Sequence, residues 1–146
     1  MTGLELLQAI ASGDAPGAPI AELMGFAPVE AEEGRVVFAA VPGAQHYNPI
    51  GSVHGGLAAT LLDSAMGCAV HSTLDEGHGY TTLELKVNYT RPITADTGRV
   101  LCEGTIVHRG GRVATAEGRV WAEGSGKLLA HGTTTCLIFP VDGQSG

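Results

Sequence analysis

The sequence predicts an α+β protein in which a curved antiparallel sheet wraps around one long central helix. Residues 55–70 contain one carboxylate, Asp63, and no basic residue, so we predict a helix that is apolar on nearly every face and buried. Two segments with strand patterns precede it and four follow it. A helix that is apolar all round requires a sheet that wraps around it.

The strand predictions rest on periodicity and on turn residues. Residues 24–30 and 35–41 flank Glu32-Glu33-Gly34, which indicates a hairpin. Three later segments are joined by short glycine-containing turns and predict an antiparallel meander, since parallel neighbours need long crossovers. These segments are residues 99–108, 112–123 and 127–139.

Residues 80–89 show the clearest strand pattern, a two-residue repeat. It assigns alternate residues to two faces, Leu83, Leu85, Val87 and Tyr89 against Thr82, Glu84, Lys86 and Asn88. Before the hairpin we predict a short amphipathic helix over residues 4–11, a linker over 16–19 and one helical turn over 20–23. The turn-rich residues 45–52 lead into the central helix as a loop.

Composition limits the classes of function. The 146 residues suit one domain, and a net charge of −7 without a basic run argues against nucleic-acid binding. The three cysteines are widely spaced, which indicates free thiols in a reducing compartment and no structural zinc site. We also identify no secretory signal and no segment suited to span a membrane, so a cytoplasmic location is expected.

Asp63 is the anomaly of the central helix. Its neighbours at helical spacing include no basic residue, and burying an unpaired carboxylate costs several kcal/mol, on the order of 1 to 5. Two interpretations remain open: an arginine from a neighbouring strand or subunit pairs with Asp63, or the carboxylate is kept there for chemistry.

One stretch carries a family resemblance. Asn48-Pro-Ile-Gly-Ser-Val-His54-Gly55-Gly56 is followed by Asp63, nine residues after the histidine, and later by Tyr89-x-Arg-Pro. Together with the order of elements, these residues resemble the PaaI-type acyl-CoA thioesterases of the hotdog fold. The resemblance covers about residues 20–139 of a predicted single domain, 1–146.

The resemblance implies hydrolysis of an acyl-CoA to a carboxylic acid and free CoA, without a metal or other cofactor. It also implies a homodimer or a dimer of dimers, a homotetramer, with sites at the subunit interface. Asn48, His54 and Gly55 of one chain would face Asp63 of its partner, and Thr82, or its neighbour Thr81, would position water. The resemblance also indicates aryl- or phenylacetyl-type CoA esters as substrates.

The residue types suit this chemistry. A Gly-Gly pair that opens a helix leaves backbone N–H groups free at its positive end, so the Gly55 N–H is the candidate oxyanion donor and Gly56 is a candidate for substrate or CoA binding. Asp63 would act as general base or nucleophile, and the Asn48 amide would contact the thioester. The candidates for the CoA phosphates are Arg91, Arg109 and Arg112.

Plainer interpretations accompany each assignment. The Gly55-Gly56 pair would also be explained by close packing, and Asn48 by a turn. Thr82 would also be explained as a solvent-facing strand residue, and the three arginines as solvated turn residues. For His54, the sequence does not separate a backbone role from a side-chain role. Two other functions stay open: a non-catalytic acyl-CoA-binding protein and an enoyl-CoA hydratase of similar architecture.

Overall fold

The computed structural model describes residues 1–141 and contains three α-helices and six strands. The helices are α1 (Gly3–Ser12), α2 (Pro19–Met24) and α3 (Gly55–His71). The strands are β1 (Phe26–Glu32), β2 (Arg35–Ala40), β3 (His78–Tyr89), β4 (Val100–Arg109), β5 (Val113–Ala122) and β6 (Leu128–Pro140). The predicted sequence of two strands, a long helix and four strands is confirmed.

The six strands form one antiparallel sheet in the order β1-β2-β4-β5-β6-β3. The predicted β1–β2 hairpin and the β4–β5–β6 meander are both present. Strand β3 pairs only with β6 within residues 1–141 and therefore forms an edge of the sheet. The sheet packs around α3, which confirms the predicted fold class.

A row of glycines lets α3 approach the sheet closely. Gly104 of β4 lies opposite Gly118 of β5, and Gly118 lies opposite Gly132 of β6. A Cβ atom added at Gly104 would lie 2.3 Å from the Ala65 carbonyl oxygen of α3, and one at Gly118 would lie 2.9 Å from Met66 Cγ. Side chains at these positions would push the helix off the sheet.

The predicted burial of α3 on nearly every face is wrong on one side. The sheet covers the side with Leu57, Leu61, Leu62, Ala65 and Met66, each at most 2% exposed. An open face, defined here as Gly56, Ala59, Thr60, Asp63 and Ser64, remains half-buried. Its residues are small and carry a single charge, so composition alone did not separate this face from the core.

Helix α1 covers the end of α3. It begins with a capping box, in which Thr2 accepts from the Glu5 N–H and the Glu5 side chain accepts from the Thr2 N–H. A Cβ atom at Gly3 would lie 1.8 Å from the His71 carbonyl oxygen, so α1 packs directly on the last turn of α3.

Over residues 1–141, the helices are too short or too polar to cross a membrane.

Strand β3 departs from its predicted alternation. The register shifts between Thr82 and Glu84, which makes Leu83 the extra residue of a β-bulge. Thr82 and Tyr89 were predicted on opposite faces, yet both reach α3, where Thr82 contacts Asp63 and Tyr89 contacts Gly55. The bulge reverses the two faces, and Leu83 is 58% exposed instead of half-buried.

Candidate active site

Asp63 lies at the middle of the open face of α3 and is half-buried. Its Oδ1 accepts a hydrogen bond of 2.8 Å from the Thr82 hydroxyl. Within residues 1–141 no arginine, lysine or histidine forms an ion pair with Asp63, so pairing with an arginine of a neighbouring strand is not observed. The carboxylate is held by a neutral donor and remains available for chemistry.

The Thr82 hydroxyl retains hydrogen-bond acceptor capacity beside Asp63. Because it donates its proton to Asp63, its oxygen lone pairs can accept a hydrogen bond from water beside the carboxylate. Thr81, the alternative from sequence, is exposed and its hydroxyl makes no contact with Asp63 in the described chain. Of the two threonines, only Thr82 is joined to the acid.

The start of α3 is capped by its own histidine. His54 Nδ1 accepts the Gly56 N–H at 2.8 Å, so the neutral ring carries its proton on Nε2. This cap engages the Gly56 N–H, whereas the Gly55 N–H donates to no other group of the described chain. The first turn therefore offers the Gly55 N–H to a ligand, as expected for an oxyanion donor.

Tyr89 packs on the same turn. Its hydroxyl donates to the Gly55 carbonyl oxygen at 2.6 Å, and a Cβ atom at Gly55 would lie 3.0 Å from that hydroxyl oxygen. A Cβ atom at Gly56 would lie 2.9 Å from His54 Nδ1. Both glycines thus have a packing reason to be glycine. The sequence signalled Tyr89 only through its place in Tyr-x-Arg-Pro.

A cavity of about 330 Å³ opens at this turn. Its walls include Gly55, His54, Tyr89 and Arg91, so the structure groups one phosphate-binding candidate with the candidate oxyanion donor. The Arg91 side chain is exposed, which leaves its guanidinium accessible. This end of α3 combines a free backbone N–H, the positive end of a helix dipole and a cation.

Asn48 stabilises the loop before α3. Its Oδ1 accepts from the backbone N–H groups of Ile50 and Ser52, at 3.0 and 3.2 Å, and its Nδ2 donates to Ser52 Oγ at 3.1 Å. This is the turn role expected for an Asn-Pro sequence. Within residues 1–141 the Asn48 Nδ2 makes no second hydrogen bond.

Arg109 and Arg112 lie at the other end of the molecule. They flank the β4–β5 turn, where Arg109 Nε donates to Thr73 Oγ1 at 3.1 Å, just beyond the end of α3. Gly55 begins that helix, about 25 Å away for a helix of 17 residues. Within one chain these two arginines do not join Arg91 or Gly55.

Asp63 and Gly55 are also separated within one chain. They are eight residues apart on α3, which corresponds to about 12 Å along the axis. A single thioester carbonyl cannot contact both groups at that separation. The two halves of the candidate site come together only if a second chain supplies one of them.

These features define a class of protein. A six-stranded antiparallel sheet packed around one long helix is the architecture of hotdog-fold proteins. The family model of the thioesterase superfamily matches residues 50–129, from the loop before α3 to the start of β6. The chain belongs to this superfamily.

Individual relatives agree with this assignment. Mouse acyl-coenzyme A thioesterase 13 is 33% identical over 92 residues, which cover 62% of this chain and 64% of that protein. The structure of a variant of the phenylacetic acid degradation protein PaaI from Thermus thermophilus is 31% identical, with a TM-score of 0.73 over 82% of this chain and 98% of that one. Escherichia coli PaaI, at 19% identity, shares the fold with a TM-score of 0.81, covering 96% of this chain and 98% of that one.

The matches to curated relatives are partial in length. The chain covers 44% of a relative from Halobacterium salinarum, 66% of one from Caenorhabditis elegans and 64% of the mouse thioesterase. It therefore spans less than two thirds of these relatives.

Proposed function

We propose that this protein is an acyl-CoA thioesterase, which hydrolyses an acyl-CoA to a carboxylic acid and free CoA. The observation that carries the proposal is the Asp63–Thr82 pair: a carboxylate without an ion-pair partner in the described chain, held by a neutral hydroxyl on an open helix face. Relatives that are thioesterases by name support it. So does the family model.

We propose that Asp63 acts as a general base. Water that donates one proton to Asp63 and another to the Thr82 oxygen would be oriented for attack on the thioester carbon. As the C–O bond forms, Asp63 takes the proton and charge develops on the carbonyl oxygen. Collapse of the tetrahedral intermediate then breaks the C–S bond, and the CoA thiolate leaves and is protonated.

The developing oxyanion would be stabilised by the Gly55 N–H. The N-terminal end of α3 adds its partial positive charge at this point. One oxyanion donor of this kind contributes about 2.7 to 4 kcal/mol to transition-state stabilisation. His54 would act through the cap, by fixing the turn that presents Gly55, and the free Nδ2 proton of Asn48 would bind the thioester.

Assembly is part of the proposal. The Gly55–Asp63 separation of about 12 Å along α3 favours a site that a second chain completes, so we propose a homodimer or a dimer of dimers. The β3 edge supports this arrangement, because it extends over 12 residues and exposes Leu83. An uncovered edge of that length is suited to pair with a second copy.

The remaining ligand assignments follow from the same geometry. Arg91, beside Gly55, is the arginine we propose for the CoA phosphates in the same chain, and Arg109 and Arg112 would contribute only from another chain. No cofactor or metal enters the proposed reaction. A cytoplasmic location remains a proposal, in keeping with three free cysteines.

The experiment that tests the function follows the release of free thiol from a panel of acyl-CoA esters, including phenylacetyl-CoA. Asp63→Asn and Asp63→Ala should each lower kcat by roughly 100-fold or more, as loss of a general base does. The matched control is Asp75→Asn, which makes the same change at an exposed position after α3. Variants that hydrolyse as fast as the parent would refute the mechanism.

Isotope labelling can reveal the nucleophilic route, because only that route can carry oxygen from water into Asp63. In the nucleophilic route Asp63 attacks the carbonyl carbon and forms an anhydride, which water can open at the aspartyl carbon. Turnover in oxygen-18 water followed by mass spectrometry of the protein should leave Asp63 unlabelled. Label in Asp63 would contradict the general-base route.

A further inference from the structure

A second, mainly apolar cavity of about 440 Å³ lies between α1, α2, the β1–β2 hairpin and α3. Its volume is within the range of about 300–1,000 Å³ that small-molecule pockets occupy. Hydrophobic side chains form its walls, among them Leu7, Ile10, Ile20, Phe26, Pro28 and Phe38. We call it the N-terminal cavity.

The floor of the N-terminal cavity adjoins the candidate catalytic acid. Ser64 and Cys68 of α3 and Tyr80 of β3 line it there. Ser64 is the residue next to Asp63 on the open face of α3. Tyr80 precedes Thr82 by two residues on the same face of β3, and Thr82 donates to Asp63. Asp63 thus adjoins the lining of this cavity, and its charge contributes to the raised pKa values of Cys68 and Tyr80.

The cavity is uncharged on its inner surface. Burial, and next the charge of Asp63, raise the pKa of the Cys68 thiol to about 12. Burial likewise raises the pKa of the Tyr80 hydroxyl well above its ordinary value. Both groups stay neutral at physiological pH. Among the described lining residues the one charged side chain is Glu22, which is exposed.

Most of the walls come from the N-terminal part of the chain. Helices α1 and α2 and the β1–β2 hairpin all precede residue 50, where the match to the family model begins. A pocket that is apolar, uncharged inside and next to a catalytic acid suits an apolar chain and disfavours a charged one.

We propose that the N-terminal cavity binds the apolar tail of the acyl group, so that the preferred substrates are CoA esters of medium-length aliphatic acids. The proposal rests on the proposed thioesterase function. Acetyl-CoA has no tail to fill the cavity. A dicarboxylic acyl group would place a second carboxylate among apolar side chains, near the negative charge of Asp63.

The test compares kcat/KM for acetyl-, butyryl-, hexanoyl-, octanoyl- and succinyl-CoA. For the parent, kcat/KM should rise about fourfold for each added methylene until the cavity is filled, because each buried methylene contributes about 0.8 kcal/mol. Succinyl-CoA should be hydrolysed more slowly than butyryl-CoA, which has the same number of acyl carbons.

Ser64→Leu places a larger side chain in the cavity beside Asp63. It should lower the ratio of kcat/KM for octanoyl-CoA to kcat/KM for acetyl-CoA by roughly tenfold or more. Ala95→Leu, which adds the same side chain at an exposed position outside the cavity, should leave the chain-length profile unchanged. Ile10→Ala enlarges the far wall and should extend the profile toward decanoyl-CoA.

Direct binding separates failure of this proposal from failure of the thioesterase function. Octanoate, the product of octanoyl-CoA hydrolysis, should bind the parent in isothermal titration calorimetry and bind Ser64→Leu at least about tenfold more weakly. If no ester is hydrolysed but octanoate binds in this manner, the function fails and the cavity assignment stands. Equal losses for acetyl- and octanoyl-CoA in Ser64→Leu, or equal octanoate binding by both proteins, would overturn the cavity assignment.

Discussion

Two residues carry most of the chemistry proposed for this protein. Asp63 is held by Thr82 at 2.8 Å, and the Gly55 N–H has no acceptor in the described chain. Each group is positioned by a neighbouring residue that does not itself react. Thr82 positions the carboxylate, and the His54 cap fixes the glycine turn. Positioning before the reaction lowers the free energy that reorganisation of the site would otherwise require.

The role of the Gly55 N–H can be tested by removing it without moving the helix. Gly55 is the first residue of α3, a position where proline is well tolerated, and His54, with φ −59° and ψ 136°, has the extended backbone that precedes proline. Gly55→Pro deletes the donor and should lower kcat by roughly 100- to 1,000-fold. Thiol release under saturating acyl-CoA measures the effect.

Gly55→Ala is the matched control. It keeps the N–H and adds the same Cβ near the Tyr89 hydroxyl, 3.0 Å away at the end of a ring that is 55% exposed and can shift. We expect Gly55→Ala to retain most of the activity. Equal loss in both variants would assign the effect to packing against Tyr89 instead of to the N–H.

At the scale of residues, the sequence identified positions better than it identified contacts. Asp63 stood out because an unpaired charge in an apolar helix has a high energetic cost, and Gly55 because a glycine pair opened that helix. The contact between Tyr89 and Gly55 could not be predicted, since it depends on the bulge at Leu83. That bulge is set by pairing with β6, a segment more than 40 residues away.

At the scale of elements, the position of α3 depends on two glycines of the sheet, Gly104 and Gly118. Gly104, Gly118 and Gly132 lie side by side on three strands, and a Cβ at Gly104 would lie 2.3 Å from a backbone oxygen of the helix. This backbone oxygen cannot rotate out of the way of an added Cβ atom, whereas the end of a side chain could. Gly104 and Gly118 therefore fix how deeply the helix that carries Asp63 sits in the sheet.

Gly104→Ala should destabilise the protein by about 1 to 3 kcal/mol, the usual cost of overpacking a well-packed core. Gly124→Ala is the control, because a Cβ there has no neighbour within 4 Å and its backbone needs no left-handed conformation. Urea unfolding followed by circular dichroism gives the free energy of unfolding of each. A stable Gly104→Ala would mean that the helix and sheet are less tightly packed than described.

The sequence predicted the order of these elements and most of their bounds. Hydrophobic periodicity and glycine turns located the hairpin, the helix and the meander, because each depends on neighbours in the chain. The open face of α3 was missed, since Ala59, Thr60 and Ser64 are small enough to suit either a core or a surface. Which side of α3 the sheet covers is decided by long-range packing.

At the scale of the whole molecule, the proposed site requires two chains. If each site takes Asp63 from one chain and Gly55 from the other, then mixed dimers of Asp63→Asn and Gly55→Pro contain one intact site. Co-refolding equal amounts of the two inactive variants should restore about a quarter of the parent activity. Light scattering of the parent should give at least twice the mass of one chain, 14.9 kDa.

Two outcomes would contradict the shared site. Co-refolding of Asp63→Asn with Asp63→Ala is the negative control and should restore no activity, because no mixed dimer then contains an intact acid. Recovery in this control would point to exchange artefacts or contamination. Absence of recovery in the Asp63→Asn and Gly55→Pro mixture, with dimers present, would place both groups of each site in one chain.

The distance between Gly55 and Asp63 along α3 also has a consequence for how the protein behaves on dilution. If each site takes one group from each chain, a lone chain holds half of two different reaction centres and a whole copy of neither. Specific activity should thus fall once the protein concentration drops below the dissociation constant of the dimer. Added CoA ester should oppose that fall, because it would contact both chains.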